Sequence, residues 1–437
     1  MAIVDILTIF RSPRLRLGVG LACCVAAGFG QTDSTLSLTE FNLGSLEGKG
    51  RALRISPDGK RYGYISEALQ VRVDRVTGAD LMAKQRVVVD GKLATESFDS
   101  VMDSTLLFSP DSKHFAYAAK AGDRWQLVVD DKADPAYDGV GAPVFSRDSQ
   151  HVIYSARQGG RNFIVVDGKP QQNFDGIGET AVSSDGKRLA YIAMQGGKGF
   201  VVIDGKADEG SYDGAGSIVF SEDGKHVAYA AVLGGKSFIV ADGTPLQKND
   251  GIVKDSLRYS PDGRSFAYAA SSGRAQMMIL DGNPIPGEFD AIARPIFSPD
   301  GKRLAYAAKR GPKWLVVVDG KQGPLFDGAT AIAFSQDSQH IAYLASTGGT
   351  QSIVLDGQQG VPYYAAFYPA FGPDSQHMAY LAHASKTGKW LIVVDGKTTE
   401  VDYVFPDPKL VWDDPVHLHM IAGRNTTLLR LDVTVSK

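Results

Sequence analysis

One ten-residue pattern recurs along most of this 437-residue chain and leaves few folds open to it. FSPDGKRLAY at 297–306 is the type copy, and FSPDSKHFAY at 108, FSRDSQHVIY at 145 and FSEDGKHVAY at 220 are close variants. The aspartates of the nine copies are Asp58, Asp111, Asp148, Asp185, Asp223, Asp262, Asp300, Asp337 and Asp374. Apart from the first gap of 53 residues, they recur every 37 to 39. Six residues after each stands a tyrosine: Tyr64, Tyr117, Tyr154, Tyr191, Tyr229, Tyr268, Tyr306, Tyr343 and Tyr380. A Val-Val-Asp-Gly-Lys motif or a variant closes each copy, in seven of them with its Asp 13 residues after the Tyr.

Each unit reads as four short strands. An apolar strand such as Ala142 to Phe145 enters the Ser-x-Asp-Gly/Ser turn, where Asp bonds nearby backbone. A second strand (HVIYSA) and a Gly-rich hairpin follow, and the third strand (FIVVD) closes on Asp-Gly, a two-residue hairpin signal. A fourth strand leads to Phe-Asp-Gly or Tyr-Asp-Gly and the next unit. The excess of glycine, in a chain with 49, falls chiefly in these turns. A repeat of about 38 residues with four strands has the length of a propeller blade. The expected fold class is therefore all-β: a β-propeller of four-stranded antiparallel blades. Nine full repeats and one composite give about ten blades, with eight or nine as the alternatives. The composite joins the degenerate last unit, from Leu410 on, to a lone strand at Phe41 to Leu46, so that both chain ends close the ring.

The SPDG repeat, with its Gly hairpin and apolar third strand, resembles the TolB-type, WD-repeat-like propellers of exported bacterial proteins. The resemblance covers residues 53–437. It implies the fold and leaves the role open, since propellers host many functions.

The first 30 residues read differently. Arg11, Arg14 and Arg16 precede a 13-residue apolar run, Leu17 to Phe29. That run is shorter than the ~20 residues of a membrane helix and has the marks of a secretory signal. A cut after Gly30 removes Cys23 and Cys24, the chain's two cysteines. The domain reading is a signal peptide at 1–30, an N-terminal segment at 31–52 that contributes the closing strand, and the propeller at 53–437. The expected location is periplasmic or extracellular, with a lipid anchor on the cysteine pair as the variant. The expected mature protein has no transmembrane span and is a monomer.

A net charge of −3 gives no electrostatic case for nucleic acid. No Gly-x-Ser-x-Gly elbow or HExxH appears. Gly234-Gly235-Lys236-Ser237 falls in a strand hairpin rather than at a helix start, so it is no phosphate loop. His114, His151, His226, His340 and His377 share one repeat position on different units and cannot share a metal. The reading assigns no catalytic residue, metal or cofactor. The repeated Tyr and Asp are read as packing and turn residues.

Departures from the repeat carry the binding reading. The first unit holds 13 extra residues around Arg72, Arg75, Lys84 and Arg86. The ninth has a hairpin two residues longer, HASKTGKW, and is entered through VPYYAAFYP. That stretch brings Tyr363, Tyr364, Phe367 and Tyr368 near Trp390. Basic-Trp pairs recur at Arg124-Trp125, Lys313-Trp314 and Lys389-Trp390. Aromatics with Arg are the composition of a contact surface. The expectation is a protein- or glycan-binding scaffold whose partner is another exported or envelope protein. The alternative is a propeller enzyme or small-ligand receptor with a site in the central funnel.

Overall fold

The computed structural model describes residues 35–45, 50–67, 84–208, 210–403, 409–425 and 427–436. The expected signal at 1–30 and the insertion around Arg72 and Arg75 lie outside them. The fold is an all-β propeller of ten four-stranded antiparallel blades. The chain divides into two compact units, Glu47–Phe334 and Met1–Leu46 with Ser335–Lys437. Blades 1 to 7 fall wholly in the first unit, and blades 9 and 10 wholly in the second; the division falls inside blade 8, after Phe334.

Blade 3 is representative. Its first strand is broken into Gly139–Val140 and Val144–Phe145; Val152–Gln158, Arg161–Val166 and Lys169–Phe174 follow in order. Blades 4 and 5 keep a continuous first strand but bulge it, between Ile177 and Thr180 and between Gly216 and Val219. The two-residue turn after the third strand in blades 1 to 9, Asp-Gly in all but blade 2, which has Asp130-Asp131, puts both residues at positive φ, as at Asp167 (49°) and Gly168 (74°). That is the two-residue hairpin geometry that matches strand twist.

Period-two alternation in the second strand builds the core. In blade 2, Tyr117 and Ala119 pack against Ile65, Val87 and Phe98 of blade 1 and its exit. Ala116 and Ala118 face the other way, onto Tyr154, Ala156 and Phe163 of blade 3. Small residues on one face thus receive the next blade's tyrosine. All nine repeat tyrosines are buried, at 5% exposure or less.

A second device ties blade to blade. His114 Nδ1 lies 2.6 Å from Asp130 Oδ2 in its own blade, and its ring stacks on Phe145 of the next. His226 repeats this with Asp242 and Tyr259, and in the second unit His377 does so with Asp395 and Trp412. Where the repeat has Arg, the guanidinium takes both roles: Arg188 bonds Asp204 at 2.9 Å and sits 5.2 Å over Phe220. One repeat position, filled by His or Arg in every copy but the sixth, which has Ser265, can serve as an inter-blade clamp.

The chain ends meet in blade 10. Thr35–Ser45 forms its outer strand, paired along its length with Thr427–Ser436. Leu36 and Leu38 pack on the core built by blades 9 and 10. Arg424 bonds Glu40 at 2.9 Å, and the Tyr403 hydroxyl donates to the same carboxylate.

Candidate functional site

The entry to most blades follows one plan, with Asn249 in place of the aromatic ahead of blade 6. A buried aromatic, such as Tyr137 or Phe289, bridges through its backbone to the previous blade's third strand. The Asp after it accepts the N–H of a glycine in its own blade's hairpin. Asp138 does this for Gly159 at 2.7 Å, Asp175 for Gly196 at 2.8 Å and Asp290 for Gly311 at 2.6 Å.

Blade 9 keeps the aromatic and replaces the acid. Tyr363 exchanges backbone hydrogen bonds with Gln351, meets Tyr380 edge-on at 6.1 Å and is only 8% exposed. The sequence reading placed Tyr363 among the surface aromatics; the structure corrects this, because Tyr363-Tyr364 is in step with the Phe-Asp pair of the other blades. Tyr364 stands where they carry the capping Asp, and it is 47% exposed. The longer hairpin beyond it is held differently: Gly388 N–H donates to Ser385 O, and His383 Nδ1 lies 3.2 Å from Gly388 O.

The aromatic end of this blade has two tiers. Phe367 and Trp390 are half-buried, with ring centroids 5.0 Å apart, and pack on the core of blades 9 and 10. His383 lies 4.0 Å from Trp390, and burial pushes its imidazole below the usual range. Tyr364 and Tyr368 stand exposed, Tyr368 at 55%, on the segment that also exposes Val361. The five side chains share one blade.

The other candidates are placed apart from this group. Trp125 and Trp314 occupy the position of Trp390 in blades 2 and 7, opposite Lys120 and Lys309 as Trp390 is opposite His383. Both are half-buried strand residues bridged by backbone to Tyr137 and Phe326. Lys84 is paired with Asp99 at 3.5 Å, and Arg86 lies in blade 1's third strand opposite Ser66. Arg72 and Arg75 lie outside the described residues.

The repeat aspartates sit in capped turns. Asp111 Oδ1 accepts the Ser109 hydroxyl at 2.6 Å and the Lys113 N–H at 3.1 Å, and these bonds hold its carboxyl well below the usual range. His417 and His419 pair with different acids, Asp414 and Asp413, each at 2.7 Å. Among the described residues, no group of three His, Cys, Asp or Glu is arranged to hold a metal ion.

Sequence reasoning missed the charges on the first strands. In blades 1 to 7, the position before the strand's last residue holds Arg54, Leu107, Val144, Ala181, Val219, Arg258 and Ile296. Two arginines interrupt an otherwise apolar series, and that interruption was the available signal.

No known family and no curated protein matches the chain. Among solved structures, it is similar to a eukaryotic initiation factor at 14% identity and a TM-score of 0.45, over 81% of this chain and 88% of that one. It is similar to TolB from Acinetobacter baumannii at 16% identity and a TM-score of 0.28, over 62% and 77%. The Dos1 propeller gives 12% identity and a TM-score of 0.37, over 63% and 88%.

Proposed function

We propose that this chain is an exported, non-catalytic scaffold that binds another exported or envelope protein through the aromatic end of blade 9. The observation that carries the reading is the exchange of the hairpin-capping Asp for an exposed Tyr364, beside exposed Tyr368 and over the Phe367–Trp390 pair. Exposed aromatics on a rigid half-buried base are the usual anchors of protein contacts. A glycan that stacks on the same rings is the second ligand class. Export is supported by the basic and apolar pattern of residues 11–29 and by the confinement of both cysteines to it.

Tyr364→Asp restores the repeat's own residue, and Tyr368→Ser trims the second anchor. The purified chain, crosslinked in a native envelope extract, is expected to capture a defined partner. The double variant is expected to lose at least about tenfold in capture, or ~1.4 kcal/mol, at an unchanged melting temperature. No capture by the wild-type chain, or equal capture by the variant, overturns the proposal. N-terminal sequencing of the exported chain checks cleavage after Gly30.

A further inference from the structure

We propose that Arg258 is the anchor of an anion-binding site on the first-strand edge of blades 3 to 7, built for the carboxylate or phosphate group of a small ligand. The site is separate from the aromatic end of blade 9, and its chemistry is different.

The two arginines that interrupt the apolar series differ in what they touch. Arg54 is fully engaged: Nε donates to Leu106 O, Nη2 to Asp103 O, both at 3.1 Å, and Nη1 to Leu53 O. It is a staple between first strands. Arg258 donates only from Nη1, to Leu257 O at 2.6 Å. Its Nε is buried with no hydrogen-bond partner, and its guanidinium makes no ion pair among the described residues. The free edge is therefore the Nε–Nη2 fork. Those two parallel N–H groups bind a carboxylate or phosphate in bidentate fashion.

A recess borders this side chain. It measures about 360 Å³ and is lined by Arg258, Tyr259, Val219 and Phe220, with Arg147 and Glu222 also in its wall. Arg147 and Glu222 neutralise each other as an ion pair. Glu179, on blade 4, is within electrostatic range of Arg258. Its oxygens accept the N–H groups of Ser217 and Ile218, at 2.7 and 3.0 Å, and no hydrogen bond to Arg258 is present among the described residues. Arg294, from blade 7, is also in range, exposed and unpaired among the described residues. Asp255, in range as well, is exposed. A buried, unpaired guanidinium N–H costs roughly 1–3 kcal/mol or more. Its persistence beside a second arginine is what a bound anion would offset.

The test is calorimetric titration of the purified chain with inorganic phosphate and with succinate, at matched ionic strength against chloride. Saturable binding of at least one probe is expected, and the stronger probe identifies the group recognised. Arg258→Lys keeps the charge and removes the fork, so affinity is expected to fall at least tenfold. Arg294→Gln is expected to weaken binding severalfold. Arg258→Val installs the residue type of Val144 and Val219. It is expected to abolish binding and to leave the melting temperature equal or higher without ligand. Absence of saturable binding in the wild type, or equal affinity of Arg258→Lys, overturns the proposal. So does a lowered melting temperature for ligand-free Arg258→Val, which would make Arg258 a structural staple like Arg54.

Discussion

At the residue scale, the repeat tyrosines show how one position can be uniform in sequence and unequal in energy. Each ring is buried in the same way, but each hydroxyl meets what the preceding blade supplies at the end of its fourth strand. Tyr154 donates to Asp134 at 2.9 Å, and Tyr229 donates to Asp208. Tyr306 packs with Ile285 in that place, and its hydroxyl is buried without a partner; burial pushes it up to about 12. Tyr306→Phe is therefore expected to be neutral or to stabilise by up to ~1 kcal/mol, because a buried unsatisfied group is removed. Tyr154→Phe is expected to destabilise by roughly 1–3 kcal/mol, because it takes a donor from a carboxylate. Urea unfolding of the two variants checks the difference in sign. The nine tyrosines were legible because their spacing repeats. Their hydroxyl partners were not, because the partner lies in another unit's least regular strand.

At the element scale, the hairpin between second and third strands is held by an acid about 21 residues upstream. Asp290→Ala is expected to speed amide exchange at Gly311 and to cost roughly 0.5–1.5 kcal/mol, the range of an ordinary hydrogen bond. Hydrogen exchange on the intact chain reads it, with Gly159 and its Asp138 as the internal control. The four-strand order, the Asp-Gly turns and the shared blade of the chain ends were all readable from spacing and turn chemistry. The identity of Tyr363 was not. Counting VPYYAAFYP as an irregular loop hid the fact that its first Tyr keeps the buried register while only the second departs from it. The first-strand bulges were equally silent. The bulge in blade 4 and the break in blade 6 leave the apolar pattern largely intact, so Glu179 and Arg258 looked like ordinary strand residues.

At the scale of the whole molecule, the unit formed by Ser335–Lys437 with the N-terminal strand depends on a clasp between residues far apart in sequence. Leu38→Asp is expected to detach Thr35–Ser45 and bare the backbone edge of Thr427–Ser436. Bare edges pair with other chains, so size-exclusion chromatography is expected to show dimers or larger species. The clasp also carries a pH signature. The Tyr403 and Arg424 hydrogen bonds hold the Glu40 carboxyl below its ordinary 4.5. A lowered folded value means the stabilisation is full above that ordinary value and fades as pH falls through the folded one. The melting-temperature advantage of the wild type over Glu40→Gln is expected to hold at pH 6 and to shrink towards pH 3.

The pairing of Thr35 with Ser436 also sets a schedule. At a synthesis rate of roughly 5–20 residues per second, the strand at 35–45 waits on the order of 20–80 s before its partner exists. Through that interval it is an unsatisfied strand at the leading end of a nascent chain, the form most open to chaperones and proteases. Any interruption before residue 427 leaves it so permanently. The clasp thereby makes the last strand a condition for covering the first: a chain cut short of residue 427 lacks the partner of Thr35–Ser45.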